Sequence, residues 1–186
     1  MRHFTTGWVF ESGAAALVAL SVAPVPGDAQ AAGSAIDGVY TQKHVVRTVE
    51  GPSASVEDVV ELVHYDPTHL FFRIATRFDV GHSCNVHGVA TQVDQVFVYR
   101  SKQPQADNQG PCTLKFEITA DGLRITDRLE PNGPSTCIES CGRRGTLAYI
   151  AISNKHRRPI KDLAALKKST EYLAAVEELN MKEPER

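Results

Sequence analysis

Thr113-Leu114-Lys115-Phe116-Glu117-Ile118-Thr119, followed by Ala120-Asp121-Gly122 and then Leu123-Arg124-Ile125, is the stretch that decides the fold class. Leu114, Phe116 and Ile118 alternate with polar neighbours, a period of two that gives a β-strand one apolar face. Asp121-Gly122 is a tight-turn signal, read as a hairpin because glycine accepts the positive φ such turns demand. Leu123 and Ile125 then resume the apolar face on the returning strand.

The same period extends outward. Leu70, Phe72, Ile74 and Phe78 alternate with Phe71, Arg73, Ala75, Arg77 and Asp79. Val89, Thr91 and Val93 lead through Asp94-Gln95 into Val96, Phe97, Val98 and Tyr99, a second hairpin. Strands are predicted near 38–49, 56–65, 69–79, 86–93, 96–101, 112–119, 123–129 and 146–152. Their short connections make a meander, and about eight such strands bury one apolar face best by closing into a small antiparallel barrel, which also removes exposed edges. A sandwich is the alternative. After Asn154 the period changes: Ile160, Leu163 and Leu166 form one helical face and Leu173, Val176 and Leu179 another. These predict a C-terminal α-helix from about 159 to 180, bent or broken near Ser169-Thr170 and packed on the barrel.

The chain has 186 residues, 42% apolar and 23% charged, with 20 basic against 22 acidic side chains. That near balance excludes a strongly basic nucleic-acid binder and a highly charged disordered chain. Arg2 and His3, the apolar run Ala14–Ala23, Pro24, Pro26 and Gly27, and then Ala29-Gln30-Ala31 follow the order of an export signal. Residues 1–31 are therefore read as a cleaved signal peptide, 32–154 as the barrel, and 155–186 as the C-terminal helix and tail. The apolar run is too short for a membrane span.

Cys84, Cys112, Cys137 and Cys141 form an even set, which in an exported chain reads as disulfides. Strand direction in a meander gathers all four at one rim. Three pairings are compatible with the sequence; Cys84 with Cys112 and Cys137 with Cys141 is preferred, with a crossed arrangement close behind. A sharper alternative is a metal site built on His82, Cys84 and His87, whose sulfur and nitrogen donors suit zinc or copper, although the spacing is not that of a zinc finger. A second is an activated Cys84 nucleophile, which requires an unpaired thiol. Neither is preferred over disulfides. No phosphate loop, dinucleotide fingerprint, Ser/His/Asp order or paired-carboxylate motif stands out, so neither catalysis nor a cofactor is expected. Arg143 and Arg144 sit between glycines on the cysteine loop, and Lys155, Arg157, Arg158, Lys161, Lys167 and Lys168 follow. Arg143, Arg144, Arg157 and Arg158 are the candidate partner-binding residues, because guanidinium forks grip phosphate or carboxylate groups.

Gly81-His82-Ser83-Cys84 through Gly88-Val89-Ala90, together with Cys137-Ile138-Glu139-Ser140-Cys141-Gly142-Arg143-Arg144-Gly145, resembles a group of small exported bacterial proteins with a Cys-x3-Cys-Gly-x-Arg-Gly loop. These are loosely similar to periplasmic lysozyme-inhibitor-type barrels. The resemblance implies an envelope setting and no catalytic residues. The function expected is that of a secreted or periplasmic non-catalytic binding protein that engages an envelope protein or an anionic envelope component. A carrier of a small apolar ligand inside the barrel and an envelope enzyme with a Cys/His rim are the competing readings.

Overall fold

The computed structural model describes residues 36–103, 110–142, 145–148 and 150–182; the expected signal peptide lies outside the described residues. The alternation read in the sequence becomes nine antiparallel strands: β1 (Gly38–Val46), β2 (Ala54–Asp66), β3 (His69–Arg77), β4 (Ser83–Val93), β5 (Val96–Arg100), β6 (Thr113–Ile118), β7 (Gly122–Thr126), β8 (Ile150–Ser153) and β9 (Arg157–Arg158). They form one sheet in the order β8-β7-β6-β5-β4-β3-β2-β1-β9. Each strand through β8 pairs with its predecessor in sequence. The chain then leaves β8 by a 3-10 turn at Asn154–His156 and reaches the far edge, where β9 pairs with β1 through Val39 opposite Arg158 and Tyr40 opposite Arg157. The sheet is thus a nearly closed barrel, and it runs on past residue 154 to Arg158.

Period-two alternation decides which side chains fill it. Tyr40, Val60, Leu62, Leu70, Phe72, Ile74, Leu114, Phe116, Leu123 and Ile125 point inward and are almost completely buried. The ring of Phe72 lies 4.8 Å from that of Phe116 and 5.0 Å from that of Tyr99, so the interior is occupied by interlocking aromatic and aliphatic groups. The Asp121-Gly122 hairpin forms, but glycine is needed there for another reason. Gly122 does not adopt positive φ; instead the backbone of Ile152 on β8 passes where its Cβ would stand. At the β4–β5 hairpin it is Asp94 that takes the left-handed conformation, with φ 55°.

The outer face is not all solvent-facing. Phe71, on the polar side of the β3 alternation, is fully buried together with Val63 and Val89. What covers them is the C-terminal segment, which is two helices rather than one: α2 (Leu163–Leu166) and α3 (Thr170–Asn180). Asp162 caps α2 by accepting from the Ala165 N–H at 2.8 Å, and Ser169 caps α3 by accepting from the Tyr172 N–H at 3.2 Å. A side-chain cap at Ser169 starts a new helix, which fixes the break at the place where a bend or break was expected. Of the expected faces, Leu166 is buried and Ile160, Val176 and Leu179 pack against the contact, joined by Tyr172, 4.8 Å from Phe71, and by Ala175, whereas Leu163 and Leu173 are exposed. Tyr172→Ala is expected to cost about 3 kcal/mol of docking energy. Limited proteolysis should then cut within residues 160–182 while the barrel resists.

Among the described residues no helix is long and apolar enough to cross a membrane.

Candidate functional site

Strand direction puts the starts of β4, β6 and β8 and the ends of β1, β3, β5 and β7 at one end of the barrel. All four cysteines are there, as the meander predicts. Their pairing is not the preferred one: Cys84 bonds Cys141 and Cys112 bonds Cys137. The physical reason is a feature the sequence pattern did not disclose, a single helical turn, α1 (Ile138–Cys141), capped by Cys137. Positions four apart in a helix project to the same side. Cys137 and Cys141 therefore both face the barrel and anchor the turn at two points, to β6 and to β4, instead of bonding each other.

The long connection that carries this turn is fixed by a buried polar centre absent from the sequence reading. Asp127, fully buried just past β7, accepts from the hydroxyls of Ser135 and of Thr146, the latter at 2.9 Å. The Thr136 N–H donates to the Asp127 carbonyl at 2.9 Å, and the Thr136 hydroxyl accepts from the Thr113 N–H at 3.0 Å. A buried carboxylate satisfied in this way ties the β7–β8 loop to itself and to β6. The only sequence signal for it was an acidic residue following an alternating strand.

Disulfide formation removes the Cys84 thiol both as nucleophile and as thiolate ligand. The three candidate metal ligands are also not brought together. Cys84 faces the barrel interior, whereas His87, an odd number of residues further along β4, is on the outer face. Among the described residues no group of three or more His, Cys, Asp or Glu side chains is arranged to hold a metal ion. His82 instead borders the α1 turn, where a Cβ at Gly142 would stand 3.9 Å from its Nδ1.

Two of the four candidate partner-binding arginines fall among the described residues. Arg143 and Arg144 lie outside the described residues; the flanking Gly142 and Gly145 belong to the disulfide end. Arg157 and Arg158 are on β9, beside the first residues of β1 at the other end of the barrel. The Arg157 side chain packs over Gly38, where an added Cβ would stand 2.8 Å from its Cγ, and its charge lies beside the Tyr40 hydroxyl. Arg157 is thus a structural plug on that side, while Arg158 is exposed.

The chain matches no protein-family model, no curated protein and no solved structure. Its site is therefore read from geometry alone.

Beneath the α1 turn that geometry includes an open cleft of about 320 Å³, bordered by β4, β5, α1 and α3. Tyr99 stands at its base. Burial, reinforced by the Glu178 carboxylate beside it, pushes the Tyr99 hydroxyl far above its ordinary pKa, so it remains a proton donor to Glu178 at 3.0 Å. Neither Tyr99 nor Glu178 carries a sequence signal for such a role. One ends an ordinary strand and the other sits on an ordinary helix.

Proposed function

We propose that the protein is an exported, non-catalytic binding module that engages another component of the cell envelope through its disulfide end, for example as an inhibitor of a cell-wall-degrading enzyme. The observation that carries this reading is the pair of crosslinks at one end, which tie the α1 turn to β4 and β6. Loops held in place before a partner arrives lose little freedom on binding, so their contacts translate into affinity. Two disulfides also accord with an oxidising compartment, extracellular or periplasmic. The interior filled by Phe72, Phe116, Tyr40 and their neighbours supports binding at the outer surface over the carrier reading.

Arg143 and Arg144 follow Cys141 closely in the sequence, and each guanidinium is able to form paired charge-assisted hydrogen bonds with an anionic group. Affinity capture from an envelope extract tests the reading. Arg143→Ala with Arg144→Ala is expected to weaken recovery of the partner about tenfold or more, equivalent to roughly 1.4 kcal/mol, with an unchanged urea midpoint. Equal recovery by the double variant would count against it.

A further inference from the structure

β4 and β5 are hydrogen-bonded only where Thr91–Val93 faces Val96–Val98. Beyond that short ladder β4 stays with β3 and β5 stays with β6, so the barrel wall parts between His87 and Ser101. Tyr99 fills the base of the gap, and Gly88 opposite it has no side chain because a Cβ there would stand 2.5 Å from the Tyr99 ring. Ala174, Ala175 and Glu178 of α3 form one wall, and Glu139 and Ser140 of α1 close the upper end. The cleft of about 320 Å³ is at the small end of the range for ligand sites, the scale of one side chain with its flanking backbone.

The carboxylate of Glu178 and the imidazole of His87 line the cleft, and among the described residues none that lines it is Lys or Arg. Glu178 is only partly exposed, and its donors are neutral: the Tyr99 hydroxyl at 3.0 Å and the Lys102 backbone N–H at 2.9 Å. The nearest ammonium on that strand is committed elsewhere, since Lys102 Nζ donates to the carbonyls of Leu179 and Met181 at 2.6 and 2.5 Å. A carboxylate has room for about four donors, so Glu178 keeps acceptor sites. In a recess walled by low-dielectric protein a carboxylate attracts a cation more strongly than it would on an open surface.

We infer that this cleft receives the cationic side chain of a partner polypeptide, its guanidinium or ammonium group meeting Glu178 above Tyr99. The inference rests on the binding-module reading and names the chemistry of what is bound. Anionic guests are disfavoured by the Glu178 carboxylate.

The test is an amide-resolved NMR titration of the oxidised protein with a short end-capped peptide carrying one arginine, and with the same peptide carrying neutral citrulline. Saturable shifts at Asn85, His87, Ser101, Ser140 and Ala174 are expected with the arginine peptide. Binding should be roughly tenfold weaker for citrulline and for Glu178→Gln, because a charge-assisted pair is lost in each case. Ala174→Trp, a change on an exposed helix position that leaves the Tyr99–Glu178 bond in place, should abolish the response by filling the cleft. Equal responses to the two peptides, shifts confined to other surfaces, or wild-type titration of Ala174→Trp would overturn the inference. The titration uses the isolated protein and one peptide, so its outcome is independent of whether Arg143 and Arg144 capture an envelope component.

Discussion

Reduction of both disulfides is expected to unfold the protein under conditions in which the oxidised form is stable. In the chain-entropy description, a crosslink stabilises by restricting the unfolded chain, and the gain grows with the length of the loop it closes. Cys84 and Cys141 are 57 positions apart, which corresponds to about 4 kcal/mol, and Cys112 and Cys137 are 25 apart, about 3.5 kcal/mol. Together these approach the whole folding free energy of a typical domain, roughly 5–15 kcal/mol. The loss has a native-state component too, since all four sulfurs are buried against the barrel core. Urea titration of the oxidised protein, the reduced protein and the Cys84→Ala/Cys141→Ala variant would rank the contributions. The expected order is oxidised, then the variant that retains Cys112–Cys137, then fully reduced. An identical midpoint for oxidised and reduced protein would show that the crosslinks only decorate an already sufficient core.

Phe72→Ala is the second large effect. Phe72 lies at the centre of the interior, fully buried, in contact with the rings of Tyr99 and Phe116. Its strand and the two neighbours are hydrogen-bonded into a continuous ladder, with Phe72 opposite Leu62 on one side and Gly88 on the other. Such a wall cannot collapse into the space left behind, so the substitution creates a cavity and costs about 3–5 kcal/mol. It also removes the edge contact that holds Tyr99 upright at the base of the cleft. The denaturation midpoint should fall steeply, and near-ultraviolet dichroism from the aromatic cluster should weaken even in the folded fraction. A loss below about 1 kcal/mol would mean that the core is more loosely packed than its burial indicates.

The barrel was legible because strands such as Leu114–Ile118 and Leu70–Ile74 alternate cleanly and are joined by short turns; with order and direction settled, all four cysteines had to meet at one end. Details that depend on parts of the chain distant in sequence were hidden. The disulfide pairing turned on a four-residue helix too short to leave a periodic signature. Phe71 stands on the polar side of its strand and is covered by α3, where Tyr172 and Ala175, which the leucine pattern did not single out, pack beside the expected Val176 and Leu179. The cleft was the least visible feature, because it arises where β4 and β5 cease to pair, and hydrophobic period says nothing about where a ladder ends. Basic residues clustered along the sequence were likewise no guide to clustering in space: Arg157 and Arg158 ended beside β1, away from the cysteines.

Pairing of β9 with β1 has a kinetic consequence. The first strand acquires its second neighbour only from the very last one, so the seam joins segments as distant as the sheet contains. Non-local seams are slow to form because a long loop must close before any contact rewards it. The sequential hairpins from β1 to β8 can therefore pair first as an open ribbon, and the seam closes only when Arg157 and Arg158 reach β1.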